Sequence, residues 1–129
     1  MNQLSTRLLR QGKALTVFAL VVDGQCEVVE FIDGLQEPDR RKAFALLKCS
    51  ADLGVPYNEQ KFKDIEGVAN LFEFKPTNKV RLLCFRESRD YIVVLGVIKK
   101  RSRLRSQDIE KAQRLRDQFL DSTKGGQPK

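Results

Sequence analysis

The chain has 129 residues, 41% apolar and 32% charged, with 24 Lys/Arg against 17 Asp/Glu for a net charge of +7. That is enough for one domain with its own core, in an ordinary globular composition. Histidine is absent from the sequence, which removes the Ser–His–Asp triad, the Cys–His dyad and nearly every zinc arrangement, so chemistry falls to Lys, Arg, Asp, Glu, Tyr or Ser.

From the N-terminus, Leu4, Leu8 and Leu9 leave residues 1–15 as either an extension or a short amphipathic helix. "LTVFALVV" followed by Asp23-Gly24 predicts a strand ending in a turn. Cations ahead of that run imitate a secretory signal, but the run is short and β-branched and no small-residue cleavage site follows. Neither "TVFALVV" nor "YIVVLGVI" approaches the roughly 20 apolar residues that span a bilayer. Val28, Phe31, Ile32 and Leu35 predict a short helix closed near Gly34.

"EPDRRKAFALLKCSADLGVP" gives the clearest helix, with Asp39 as candidate N-cap and Gly54 and Pro56 as terminators. Ala43, Phe44, Leu46, Leu47 and Leu53 form its apolar face. Residues 55–70 show little periodicity and are expected to be a connecting loop. "LFEF" and "VRLLCF" are strands across the turn "PTNK", where Pro76 and Asn78 suit turn positions. "YIVVLGVI" is nearly all apolar, as a central strand covered on both faces should be. The last helix begins around Ser106, with Asp108 and Glu110 in its first turn and Ile109, Ala112, Leu115 (or Arg116) and Phe119 facing inward. The tail 121–129, "DSTKGGQPK" with Gly-Gly and Pro, is expected to be disordered.

The order is strand, helix, helix, three strands, helix. Short turns make the last three strands an antiparallel meander, giving an α+β fold with helices on one face of a small antiparallel sheet. Cys26, Cys49 and Cys84 are too sparse for a disulfide framework and read as reduced, core-type thiols of a cytoplasmic protein.

Charge is segregated. Residues 75–116 carry 13 Lys/Arg against 4 Asp/Glu, whereas residues 17–74 carry 6 against 11. A basic half on an acidic scaffold points to a polyanionic partner, nucleic acid foremost, although basic helices are often simply solvated. Within this half, Lys75 and Arg81 flank the hairpin turn. Arg81 alternates with Val80 and Leu82 and can equally snorkel to a sheet edge. Lys75 beside Pro76 can equally be a solvated turn. Whether the two share a face depends on hairpin register, which a slip of one residue reverses.

The run from "VVDGQCEVVEFIDGL" through "LFEFK", "VRLLCF" and "YIVVLGVIKK" to "IEKAQRLRDQF" resembles the RelE/HigB/ParE toxin superfamily of toxin–antitoxin systems, in particular its HigB-like branch of phage-derived proteins. The resemblance covers residues 16–120, taken as the toxin domain, and respects the order of every element. It rests on the L-aromatic-E-hydrophobic-cation strand at 71–75, the arginine opening the next strand and the double lysine closing the last. It implies a toxin, held by a helix-turn-helix antitoxin, that cuts mRNA in the ribosomal A site without cofactor, metal or membrane.

Cleavage by 2′-OH attack needs proton transfer and stabilisation of a phosphorane, which arginine and a lysine of lowered pKa can supply. By resemblance Arg81 is the transition-state stabiliser, Lys75 a phosphate ligand or proton carrier, and Lys100 a second phosphate contact. Arg86, Lys99, Arg101, Arg103 and Arg105 would grip RNA backbone. The sequence departs from its relatives in lacking their tyrosine or histidines after the last strand, where it reads "RSRLRSQDIE". Three alternatives stay open: a ParE-like gyrase inhibitor, a non-catalytic phage or accessory nucleic-acid-binding protein of the same fold, and a generic nucleic-acid-binding domain.

Overall fold

Six segments hydrogen-bond into one mixed sheet in the computed structural model, which describes residues 2–125. The elements are β1 (Leu4–Gln11), β2 (Thr16–Val22), α1 (Glu27–Asp33), α2 (Glu37–Leu53), β3 (Phe62–Asp64), β4 (Phe72–Phe74), β5 (Val80–Glu87), β6 (Asp90–Ile98) and α3 (Ser106–Gly125). The sheet order is β1-β2-β6-β5-β4-β3. The expected α+β class and the β4-β5-β6 antiparallel meander are both present.

The sheet is larger than the sequence indicated and is not wholly antiparallel. Leu4–Gln11 is neither an extension nor a helix, because it pairs antiparallel with β2 from Leu4↔Val22 to Gln11↔Thr16. β2 in turn lies parallel to β6. The expected loop 55–70 contains β3, whose three residues are too few to show alternation but place Phe62 opposite Phe74. α3 runs to Gly125, so the first part of the expected disordered tail is helical, and residues 126–129 lie outside the described residues.

Both faces of the sheet are covered, not one. Val17, Ala19, Leu82, Cys84 and Val93 point toward α1 and α2, where Val28, Ile32, Ala43 and Leu47 meet them. Residues of opposite parity, among them Leu20, Leu83, Phe85, Ile92 and Val94, point toward α3 and its Ala112, Leu115 and Phe119. This is why the central strand β6 is apolar on both sides, with Tyr91 to Leu95 all buried. α1 approaches so closely that a Cβ on Gly96 would lie 2.2 Å from the Phe31 ring. At the other end, a Cβ on Gly12 would lie 2.3 Å from the backbone of Ala51 in α2.

Two sequence assignments fail at the surface. Leu53 is 79% exposed, because α2 stops there at Gly54 (φ 96°) and the buried side of its last turn is taken by Ser50 and Ala51. Cys26 and Cys84 are buried, but Cys49 is exposed on the outer side of α2. Among the described residues, no helix is long and apolar enough to cross a membrane.

Candidate functional site

The β4–β5 hairpin fixes the register that the sequence left open. Glu73 faces Leu83 and Phe74 faces Leu82. One step further, Lys75 stands opposite Arg81 on the same face as Glu73. Thr77 builds the turn, its hydroxyl accepting from the backbone N–H groups of Lys79 (3.1 Å) and Val80 (3.0 Å). Lys75 N–H donates to the Lys61 carbonyl at 2.8 Å, and Lys99 N–H to the Lys79 carbonyl at 2.7 Å. The ladders thus bring the ends of β3, β4, β5 and β6 together.

Arg81 is buried, at 6% exposure. Its Nε lies 3.2 Å from Glu73 Oε1, and its Nη1 donates to the carbonyls of Thr77 (2.6 Å) and Val80 (2.9 Å). The Nε–Oε1 contact satisfies charge but not hydrogen-bond alignment, leaving both atoms without a hydrogen-bond partner. Burial draws the Arg81 pKa down and Glu73 opposes it; a guanidinium begins so high that it stays charged at neutral pH. Arg81 is therefore held in the hairpin by a carboxylate and two carbonyls. Glu73 is the partner that sequence reasoning missed; the only available sign was its place in an otherwise apolar strand.

Lys75 is half-buried, and its amine donates to the Glu59 carbonyl at 2.9 Å. Burial pushes its pKa down, with Arg81, Lys63 and Lys99 adding to the effect and Glu73 opposing it. A groove of about 420 Å³ joins Lys75 to Lys63, Lys99 and Arg103, with Glu73, Asp64 and Glu66 also on its walls. Lys99 is common to this groove and to one of about 480 Å³ that holds Lys100, Arg101, Arg103 and Arg105. Arg105 is tied to Asp108 at 3.3 Å.

Arg86 stands apart from these groups. It lies at the far end of β5, five residues from Arg81 and so roughly 16 Å along the strand. It also points to the opposite face, toward Tyr91, where its guanidinium sits 6.0 Å from the ring. The predicted residues therefore divide: Lys75 lines one groove, Lys100, Arg101 and Arg105 line its neighbour, Lys99 and Arg103 line both, and Arg81 and Arg86 line neither. Arg116, read from the sequence as an alternative to Leu115 on the inward face of the last helix, is buried along with Leu115 and acts as a polar anchor. From α3 it donates to the Ala69 and Asn70 carbonyls, fixing the entry to β4.

A family model for the phage-derived Gp49-like proteins (DUF891) matches residues 30–117. The chain belongs to that family. The match spans α1 through most of α3 and so includes the whole cationic hairpin end. Gp49-like proteins are associated with the toxins of toxin–antitoxin systems. No curated protein matches the chain.

Proposed function

We propose that the protein is the toxin of a RelE/HigB-type toxin–antitoxin pair and cleaves mRNA on the ribosome, an antitoxin holding it inactive. The observation that carries this reading is the groove that gathers Lys63, Lys99 and Arg103 around the half-buried Lys75. RNA supplies its own nucleophile, so the protein needs a proton carrier and fixed positive charge near the phosphate. Lys75, with its lowered pKa, takes the proton from the 2′-OH as that oxygen bonds to phosphorus, and returns it to the 5′ oxygen as the P–O5′ bond breaks, leaving a 2′,3′-cyclic phosphate and a 5′-hydroxyl. Lys99 and Arg103, on the same groove, face the phosphate oxygens as charge accumulates. Arg81, oriented by Glu73, adds a fixed charge behind them.

Lys75→Ala is the informative variant, because this side chain's single polar contact is with the Glu59 carbonyl. Inducible expression of wild type and variant in a bacterium is followed by growth and by mapping of mRNA 5′ ends. The expected result is arrest with new ends in translated regions for wild type, and loss of both for Lys75→Ala. Arrest without new ends in either strain refutes the nuclease reading and favours a protein target such as gyrase. The burial of Arg81 against Glu73 favours a second reading, in which the hairpin cations are structural and the fold binds nucleic acid without cutting it. Absence of arrest by wild type selects that one.

A further inference from the structure

Lys75 lines a second groove, on the other side of the hairpin end from the one described above. It has a volume of about 610 Å³ and is bounded by Lys42, Lys61, Lys75, Lys79 and Arg81, with the turn Pro76–Asn78 as its floor. Lys42 comes from α2, Lys61 immediately precedes β3, and Lys79 immediately precedes β5. These are three elements distant in sequence, and neither Lys42 nor Lys61 lies in the basic half of the chain.

Among the described residues no carboxylate lines this groove, in contrast to its neighbour with Glu73, Asp64 and Glu66. Arg81 is compensated by Glu73, but Lys42, Lys61, Lys75 and Lys79 form no salt bridge among the described residues. Two of the amines are already directed by the backbone, Lys61 toward the Pro76 carbonyl at 3.5 Å and Lys75 toward that of Glu59. Lys42, Lys61 and Lys79 are exposed, so solvent screens much of their mutual repulsion, but an anion entering the groove would be drawn by all four ammoniums.

We propose that this groove is a phosphate-backbone subsite for single-stranded RNA, so that the bound strand crosses the end of the sheet from the α2 side to the α3 side with Lys75 at the crossing. The identity of the anion rests on the RNA-cleaving reading; the groove's attraction for an anion does not. A strand is favoured over an acidic protein segment because Lys75 belongs to both grooves. A strand held there carries phosphates into each at every nucleotide, whereas an acidic peptide has charge only where its sequence places it. Lysine ammoniums, acting as point charges without a bidentate fork, suit sequence-independent backbone contact.

The test is the salt dependence of binding to a labelled single-stranded RNA dodecamer with 2′-O-methyl riboses, which block cleavage. Wild type is compared with Lys42→Gln/Lys61→Gln and with Lys42→Arg/Lys61→Arg. Each phosphate contact on a single strand contributes about 0.7 to the slope of log K against log salt. The Gln pair should lower the slope by about 1.4 and the Arg pair should restore it. An unchanged slope in the Gln pair overturns the proposal. So does tighter wild-type binding of an oligoglutamate peptide than of RNA, lost in the Gln pair, since the groove then serves an acidic protein. Mapping of mRNA 5′ ends on translating ribosomes treated with the same proteins separates the two readings. A lowered slope in a protein that does not cut leaves the subsite standing and removes the nuclease; cutting with an unchanged slope removes only the subsite.

Discussion

Removing the Glu73 carboxylate should destabilise the fold by more than most surface changes do, and the structure gives the scale. The side chains of Arg81 and Glu73 are 7% and 11% exposed and 3.2 Å apart. Glu73→Gln keeps the volume but leaves a guanidinium buried with only two carbonyls to hold it. Breaking a buried pair from one side costs about 3–5 kcal/mol. The Nε–Oε1 contact lacks hydrogen-bond alignment, so the lower end, about 3 kcal/mol, is the expected value. Against a domain stability of about 5–15 kcal/mol that is a large fraction. It corresponds to a fall in Tm of roughly 10 °C for a chain of this length.

Urea denaturation of wild type, Glu73→Gln, Arg81→Met and the double variant Glu73→Leu/Arg81→Met measures it. The double variant should cost no more than either single one, because no charge is left uncompensated. A Glu73→Gln cost below about 1 kcal/mol would refute the argument, since water would then be reaching the pair. The same experiment governs how Arg81 is read in a cell. Loss of toxicity in an Arg81 variant means loss of chemistry only where the variant is folded at the temperature of the assay.

Two further outcomes follow from the packing and the charges. Because burial and neighbouring cations lower the Lys75 pKa, its ammonium is disfavoured in the folded state, and that penalty is complete at pH below the lowered value. As pH rises from there toward the ordinary lysine value of about 10.4, the unfolded chain holds more protons and stability rises. Lys75→Met should flatten that rise in a pH series of urea midpoints; under the proposed mechanism a cleavage rate that rises with pH in wild type should lose that rise in Lys75→Arg, whose guanidinium stays protonated. The two close approaches differ in what must yield. Gly96→Ala meets the Phe31 ring, which can shift, for a cost of about 1–3 kcal/mol, whereas Gly12→Ala meets the Ala51 backbone and should cost more. Thermal melts of Gly96→Ala with and without Phe31→Leu test the first, since the smaller side chain should recover most of the loss.

Local pattern in the sequence determined α1, α2, α3, β2 and the β4-β5-β6 meander, because hydrophobic periods of 3.6 and 2 are written along each segment and short turns fix antiparallel neighbours. The absence of histidine and the segregated charge likewise bounded the chemistry before any contact was known. Other features depended on distant partners. β1 is a strand only because β2 offers it an edge, and β3 has three residues whose role is to bring Phe62 against Phe72, Phe74 and Tyr91. The parallel β2–β6 pairing joins segments about 70 residues apart, which no local pattern could reveal, although the apolar run of β6 already indicated cover on both faces. The site divided in the same way. Lys75 and Arg81 were legible as cations at a turn, but their shared face came from register. The pairing of Arg81 with Glu73 and the meeting of Lys42 and Lys61 with the hairpin came from the folded chain alone, because charges act through space and their neighbours there are not their neighbours in sequence.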